Sequence, residues 1–180
     1  NYLAGFVGKP VLPLDAPEVS AAIERVQKRT DALLNCGGTH RPEWFHRKLG
    51  DILYEGCGVA RDEAGLLDAL TKVRELREEF WRDVKVVGTG NRLNQELEKA
   101  GRVADFIELG EVMILDALDR RESAGAHFRN EYATEAGEAK RNDGDWCAVS
   151  AWETRPDGTK VRHSEPLSFS LIDLQVRDYR

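Results

Sequence analysis

The apolar residues of this chain recur every three or four positions in four separate stretches, which constrains the fold more than any other feature of the sequence. This spacing places apolar side chains on one face of an α-helix and charged side chains on the other. Prolines open the first two stretches, and glycines break the chain between stretches. The four predicted helices run from Pro17 to Asn35, from Pro42 to Gly56, from about Asp62 to Trp81, and from about Leu93 to near Gly125. The chain is therefore predicted to be mainly α, an antiparallel bundle of three to four helices.

The apolar face of each helix predicts part of the core. In the first helix this face holds Val19, Ala22, Ile23, Val26, Leu33 and Leu34. The four tryptophans are predicted to anchor the core or an interface, because their large rings stabilise most when they are covered. They are Trp44, Trp81, Trp146 and Trp152.

Beyond His127 the helical pattern is lost. Trp146 to Glu153 alternates weakly, residues 155–158 read Arg-Pro-Asp-Gly, and Thr159 to Arg162 can return as a second strand. This pattern predicts a short β-hairpin, followed by an extended C-terminal tail from Pro166 to Arg180. We therefore divide the chain into three segments: a linker over 1–14, a helical bundle domain over 15–130, and a loop, hairpin and tail over 131–180.

Composition excludes several classes of protein. At 180 residues the chain is long enough for one domain with its own core. The net charge of −6 argues against nucleic-acid binding, which needs clustered basic residues. The three cysteines, an odd number without a CxxC pair, argue against a disulfide framework. No apolar run reaches the roughly 20 residues that cross a bilayer, so we expect the chain to be soluble.

Three possible chemical motifs are not supported. Gly88-Thr89-Gly90 follows a short apolar run, but Leu93 stands where a dinucleotide-binding turn has its third glycine, so this motif is not assigned. Thr89 or Asn91 is predicted to cap the next helix instead. His40, His46, Cys36 and Cys57 lack the spacing of a metal site, and none is predicted. Ser123 lacks the surroundings of a catalytic nucleophile and is predicted to bond to a helical carbonyl.

The end of the fourth predicted helix carries more polar residues than a helix end requires. Three arginines, two aspartates, a glutamate, a serine and a histidine lie between Asp116 and Arg129. Arg120 and Glu122 are two apart and cannot pair on one helix face, so at least one of them needs another partner. The basic residues Arg120, Arg121, Arg129, Lys140 and Arg141 could hold an anion, but we favour docking against another polar surface over a substrate site.

Three stretches carry a resemblance to a known family. Residues 120–129 resemble the R-x-E-S-R-G-A-H-x-R signature found in the C-terminal helical region of succinate dehydrogenase and fumarate reductase flavoprotein subunits, with Ala124 in place of an arginine. Arg47 to Leu66, which includes Gly58-Val59-Ala60-Arg61, resembles a second run of that region. Residues 141–146 resemble the R-D-D-x-x-W that precedes its final hairpin. The signature residues expected to form an inter-domain docking motif are Arg120, Glu122, Ser123, Gly125, His127 and Arg129.

The resemblance implies an oxidoreductase in which succinate is oxidised to fumarate by hydride transfer to FAD. Electrons then pass to an iron–sulfur subunit and a membrane quinone. The resemblance also implies that the flavin-linked histidine, the dinucleotide glycines and the catalytic arginine belong to an upstream region. We therefore expect this chain to be a C-terminal fragment, with residues 1–14 as the end of the FAD-binding domain. Alone it should be structural, without bound FAD, catalytic residues or metal.

The resemblance extends to partners and location. The expected partners are the chain's own FAD-binding domain and the iron–sulfur subunit, with the membrane anchor reached only indirectly and with no nucleic acid. The complex would lie on the cytoplasmic side of the cell membrane. Two other interpretations stay open: the C-terminal region of L-aspartate oxidase, which shares the signature, and a stand-alone helical interaction module. An upstream dinucleotide-binding fingerprint with a flavin-attachment histidine would favour the dehydrogenase.

Overall fold

Four long helices dominate the computed structural model, which describes residues 2–11 and 13–175. They are α1 (Pro17–Asn35), α2 (Pro42–Gly56), α3 (Glu63–Asp83) and α4 (Gln95–Asp119). A short helix, α5 (Asp143–Trp146), precedes a hairpin of β3 (Ala148–Thr154) and β4 (Lys160–Pro166). Two two-residue strands, β1 (Ala60–Arg61) and β2 (Phe128–Arg129), form a small parallel pair. The predicted mainly α fold with a short β-hairpin is confirmed.

Local signals set the helix starts. Pro17 is the first residue of α1, where its missing N–H costs no hydrogen bond. The Asp62 carboxylate caps α3 by accepting from the Gly65 amide at 2.8 Å. Asn94 caps α4, because its Oδ1 accepts from the Leu97 amide at 3.1 Å. The prediction that Thr89 or Asn91 caps this helix is wrong: the Thr89 hydroxyl bonds to the Asn91 side chain instead.

Contacts between Cα atoms divide the chain into two compact units. The first comprises Asn1–Phe45 and Glu78–Ala104, and the second comprises His46–Arg77 and Asp105–Arg180. Helices α2, α3 and α4 therefore each contribute residues to both units. Each unit combines two separate stretches of the chain, whereas the three segments expected from the sequence are each continuous. The two divisions are therefore not comparable, and the segment boundaries stay a prediction.

The core of the first unit centres on two phenylalanines. Phe45 and Phe80 are fully buried, and their rings meet edge to face with centroids 5.2 Å apart. Leu33 is the only buried residue of α1, whereas Ile23 and Val26 are 62% and 67% exposed. Val19, Ala22 and Leu34 are half-buried, so the apolar face predicted for the first helix is only partly covered in the described structure.

A hydrogen-bonded cluster closes this unit beside its core. Asp83 accepts from the Thr39 amide at 2.8 Å and lies 2.5 Å from His40 Nδ1. The hydrogen bond with His40, followed by those from Thr39, lowers the pKa of Asp83 to about 2. Trp81 is also 39% exposed. Its ring meets that of Phe80 edge to face with centroids 5.3 Å apart, so it lies at the edge of the core, and its role as a core or interface anchor stays a prediction.

The second unit packs α2, α3 and α4 residues around Leu66, Ile107 and Ile114, all with at most 1% exposure. Gly56 permits a close approach of α2 to α3, since an added Cβ would lie only 2.5 Å from Ala69 Cβ. Glu111 is buried at 3% exposure and accepts from Arg74 at 2.8 Å and from Arg77 at 2.5 Å. Two guanidinium groups thus neutralise the one carboxylate inside this packing.

The hairpin is antiparallel, and its register pairs Trp152 with Arg162. Its turn places Gly158 at φ +84°, in the left-handed region that favours glycine. The predicted hairpin is confirmed, although its first strand begins at Ala148, because Trp146 belongs to α5.

The described residues nearest the two termini carry little regular structure. Leu3–Phe6 form one 3₁₀ turn within the predicted linker. Residues 167–175 of the predicted tail form no helix or strand, and 176–180 lie outside the described residues. Within the part of the chain that the structure describes, no helix combines the length and the apolar character needed to cross a membrane.

Candidate functional site

The signature segment, Arg120–Arg129, begins immediately after α4 ends at Asp119. The prediction that this helix continues to near Gly125 is wrong. After one last helical hydrogen bond, from the Arg120 amide to the Asp116 carbonyl at 2.9 Å, the chain turns away. The signature residues therefore occupy a compact non-helical segment of the second unit rather than a helix face.

Glu122 is the buried acidic centre of this segment, with 2% exposure. Its Oε1 accepts from Arg120 Nε at 2.8 Å and Nη2 at 2.6 Å, and its Oε2 accepts from the Asn142 amide at 2.8 Å. The sequence analysis excluded pairing of Arg120 with Glu122 on one helix face, but both residues lie beyond the end of α4 at Asp119, where they do pair. The bond to Asn142 does satisfy the expectation of a further partner.

Ser123 is fully buried, and its side chain connects the start of the segment to Arg129 at the end of the segment. Its hydroxyl donates to the Arg129 carbonyl at 3.1 Å and accepts from the Arg129 amide at 2.8 Å. Its own amide donates to the Lys140 carbonyl at 2.9 Å. The predicted bond to a helical carbonyl is therefore wrong, because the partner lies in strand β2.

Gly125 forms the outward tip of the segment. The Ala124 amide donates to the His127 carbonyl at 2.8 Å and the His127 amide donates back at 3.1 Å, so Gly125 and Ala126 form a two-residue turn. Gly125 has φ +58°, and no non-glycine residue in the described chain has positive φ. This is the pattern of a type II′ turn, which favours glycine at its first central position.

His127 is held through both ring nitrogens. Nε2 lies 3.1 Å from the Arg120 carbonyl, and Nδ1 lies 3.3 Å from Arg61 Nη1. Since a carbonyl only accepts and a guanidinium only donates, both contacts fit the neutral ring with its proton on Nε2. Burial, followed by the charges of Arg61, Arg120 and Arg129, lowers the pKa of His127. The hydrogen-bond pattern and the lowered pKa both favour the neutral form of His127.

Arg129 closes the end of α4. It is 2% exposed, and its Nη1 donates to the carbonyls of Ala117 at 2.7 Å and Leu118 at 3.3 Å. These carbonyls lack helical partners, so a guanidinium there acts as a C-cap. Arg129 Nε also donates to Glu131 at 3.1 Å. The other Glu131 oxygen accepts from the Glu63 amide at 2.5 Å, at the start of α3.

Among the partners of the signature residues that were not predicted from the sequence are three from other parts of the chain: Arg61, Glu131 and the Asn142 amide. Arg61 reaches His127 because β1 pairs with β2, in register Arg61 with Arg129. Burial alone would raise the pKa of Glu131, but the Glu63 amide and Arg129 together lower it. Two of the three lie in the other stretches that carry the family resemblance. Because all three stretches resemble the same family, their contact in the folded chain could have been expected from the sequence.

The predicted basic cluster is mostly internally paired. Arg120 and Arg129 bind Glu122 and Glu131, and Arg141 binds Asp143 at 2.6 Å. Arg121 and Lys140 are exposed. The arrangement holds no converging set of free cations, so it favours a structural role over an anion site.

The loop after α3 does not fit a dinucleotide. Asn94 Nδ2 donates to the carbonyls of Val87 at 2.9 Å and Thr89 at 3.1 Å. A Cβ added at Gly88 would lie 2.8 Å from that same nitrogen, so the Asn94 side chain occupies the space beside the glycine. A pyrophosphate needs an open glycine turn with free amides.

The histidines and cysteines considered for metal do not converge. His40 pairs with Asp83, and Cys57 is buried in the other unit, where burial raises its thiol pKa. Across residues 2–11 and 13–175, no group of three or more histidine, cysteine or acidic side chains could hold a metal ion.

The longest helix of this mainly helical chain is followed by a segment whose buried polar side chains, those of Glu122, Ser123 and Arg129, all have hydrogen-bond partners. The family model described as fumarate reductase flavoprotein C-term matches residues 46–179, so this chain belongs to that family. The match contains the signature segment and all of its partners.

Individual relatives agree with this assignment. The succinate dehydrogenase flavoprotein subunit of Bacillus subtilis is 26% identical over 160 residues, which cover 88% of this chain and 26% of the relative. The fumarate reductase flavoprotein subunit of Helicobacter pylori is 28% identical over 184 residues, 100% of this chain and 24% of the relative. The chain thus spans about a quarter of the length of these curated relatives.

A solved structure of Escherichia coli quinol fumarate reductase shares the fold. It matches with a TM-score of 0.76 at 24% identity, over 94% of this chain and 28% of that chain.

Proposed function

We propose that this chain is the C-terminal region of a flavoprotein subunit that interconverts succinate and fumarate. The observation that carries the proposal is the family match over residues 46–179. The names of the relatives, which are succinate dehydrogenase or fumarate reductase flavoprotein subunits, support the substrate pair. We further propose that FAD binds elsewhere in the full-length protein, since the glycine loop is closed by Asn94.

The partners follow from the same proposal. Electrons would pass from the flavin to an iron–sulfur subunit and then to a quinone at the membrane. The name of the structural relative, a quinol fumarate reductase, supports the quinone. The iron–sulfur subunit rests on the resemblance of the three sequence stretches. The cytoplasmic side of the cell membrane remains the expected location.

Within this subunit, we propose that the signature segment docks on the chain's own FAD-binding domain. Glu122, Ser123 and Arg129 are buried and bond within the second unit, so their role is to hold the segment rigid. The residues left outward are Arg121, Gly125 and Ala126. A rigid turn with one exposed cation can contact a second surface without paying much ordering entropy.

The activity is tested on the full-length protein that contains this chain. Purified protein should carry flavin and should reduce a dye acceptor in the presence of succinate but not of L-aspartate. Oxidation of L-aspartate would support the alternative oxidase, and protein without flavin or either activity would refute the proposal. The 180-residue chain alone should show helical circular dichroism and no flavin absorbance.

Docking is tested with a bulky change at the outward turn. Ala126→Trp in the full-length protein should lower flavin retention and succinate oxidation, because the added indole obstructs the contact. Ala136→Trp is the matched control, since Ala136 is an exposed loop residue away from the signature segment. Equal flavin content and activity in the two variants and the wild type would contradict docking through this turn, whatever the activity itself proves to be.

A further inference from the structure

A groove of about 320 Å³ lies in the second unit between the last turns of α4 and strand β3. The groove adjoins the signature segment, whose first residue, Arg120, contributes to the lining, but it is distinct from the outward turn proposed for docking. Its lining combines apolar, aromatic and polar side chains: Val112, Met113, Asp116, Arg120, Trp146, Ala148, Ser150 and Trp152.

The pleat of β3 explains the space. Ala148, Ser150 and Trp152 are alternate residues, so their side chains point to one face of the strand. The two small side chains leave room beside α4, and the two tryptophans add indole rings to the lining. Trp152 is fixed in place because its Nε1 donates to Asp116 Oδ1 at 2.8 Å. The groove is therefore a preformed feature with an aromatic lining.

Asp116 carries the one uncompensated charge at this groove. Each neighbouring acidic group has a cation: Glu122 pairs with Arg120, Asp119 with Arg162 at 3.0 Å, and Glu108 with Lys160 at 2.9 Å. For Asp116, the described residues supply the Trp152 indole and no ion-pair partner. Arg162, which pairs with Asp119, lies over the Trp146 ring with its guanidinium carbon 4.9 Å from the ring centroid. A carboxylate beside aromatic rings attracts a positively charged group through both ion pairing and cation–π contact.

An apolar stripe on α4 leads into the groove. Phe106, Leu109 and Met113 have the i, i+3, i+7 spacing of one helix face and are 41%, 54% and 46% exposed. Met113 belongs both to the stripe and to the groove lining. A contiguous apolar patch that ends at an unpaired charge is typical of a protein interaction surface.

We propose that this surface binds a segment of a partner protein that presents a lysine or arginine next to large apolar side chains. The basic group pairs with Asp116 beside the Trp152 indole, and the apolar side chains cover Met113 and Leu109. A second copy of this chain is a poorer occupant, because it would add negative charge around Asp116 from a chain of net charge −6.

The test is a nuclear magnetic resonance titration of the isotope-labelled chain. The probe is acetyl-Gly-Phe-Lys-Leu-Gly-amide, and its partner peptide carries Gln in place of Lys. The Lys peptide should shift the indole N–H signals of Trp146 and Trp152 while those of Trp44 and Trp81, in the other unit, stay unchanged. Asp116→Asn keeps an acceptor for the Trp152 indole but removes the charge. Asp51→Asn is the control, because it removes an equal charge from an exposed site on α2.

Asp116→Asn should weaken binding of the Lys peptide roughly tenfold or more, the effect of losing one charge-assisted hydrogen bond. It should leave the weaker binding of the Gln peptide nearly unchanged, and Asp51→Asn should change neither. No shift of the two indole signals, or equal weakening by both variants, would overturn the proposal. Concentration-dependent shifts of these signals without peptide would also overturn it, in favour of self-association.

Discussion

Removing the Glu122 carboxylate should destabilise the second unit more than any surface change nearby. Glu122→Ala deletes both hydrogen bonds to Arg120 and the one to the Asn142 amide. Breaking a fully buried ion pair costs about 3–5 kcal/mol. The Arg120 side chain is 35% exposed and can regain some hydration, so we expect about 2–3 kcal/mol here. For a chain of this length that corresponds to a fall in Tm of roughly 4–12 °C.

A graded pair of variants separates charge from packing. Glu122→Gln keeps the shape and one acceptor oxygen, but its NH₂ group must face either the Arg120 guanidinium or the Asn142 amide. This conflict between donors should cost about 1–2 kcal/mol. The control is Glu135→Ala in the exposed loop, which should stay within about 0.5 kcal/mol of the wild type.

The assay is urea unfolding followed by tryptophan fluorescence. Replacing Trp44 and Trp81, which belong to the first unit, with phenylalanine leaves Trp146 and Trp152 as reporters of the second unit. All variants are compared in that background. The reasoning is refuted if Glu122→Ala unfolds at the same urea concentration as Glu135→Ala, because the carboxylate would then contribute nothing to the stability of the segment.

For three further residues, the structure predicts the direction in which a change alters the stability of the fold. The pKa of Asp83 is lowered to about 2, so the contribution of its carboxylate to stability is present above pH 4 and is lost as pH falls toward 2. In acid unfolding curves, Asp83→Asn should therefore make stability depend less on pH over this range. The pKa of His127 is lowered by burial, so stability should fall as pH drops below its ordinary value of 6.5. His127→Gln, whose amide can still donate to the Arg120 carbonyl, should remove that dependence, and an unchanged slope would argue against the neutral ring. Gly125→Ala should lower the free energy of unfolding in urea by about 1–2 kcal/mol, because φ is +58° and alanine disfavours that conformation even though its Cβ would meet no neighbouring atom. Gly101→Ala, inside α4, should instead raise the free energy of unfolding by about 0.4–1 kcal/mol. Equal effects of the two substitutions would contradict the assigned turn.

The helix ends that were predicted correctly from the sequence are marked by residues at or next to those ends. Pro17 at the first turn of α1 and Gly37 at φ +66° just after its end are examples. The end of α4 was predicted wrongly because its cap comes from Arg129, a side chain beyond the turn. Helical periodicity also identified the apolar face of α1 without showing what that face packs against, and Ile23 is exposed in the described structure.

The sequence grouped the signature residues but did not predict their geometry, and their role as a docking motif stays a prediction. The signature residues do lie together, yet the rule that residues two apart do not face each other applies only within a helix. Arg120 and Glu122 escape that rule because α4 ends at Asp119. The contact of His127 with Arg61 depends on a two-residue parallel strand pair between distant parts of the chain, which leaves almost no periodic signal to detect.

The proposed exchange of electrons between a flavin and the succinate–fumarate pair is tested most directly by the absorbance of the flavin in the anaerobic full-length protein on addition of succinate. We expect succinate to bleach the oxidised flavin band and fumarate to restore it. A flavin that stays oxidised with succinate but is bleached by a different reductant would contradict this proposal.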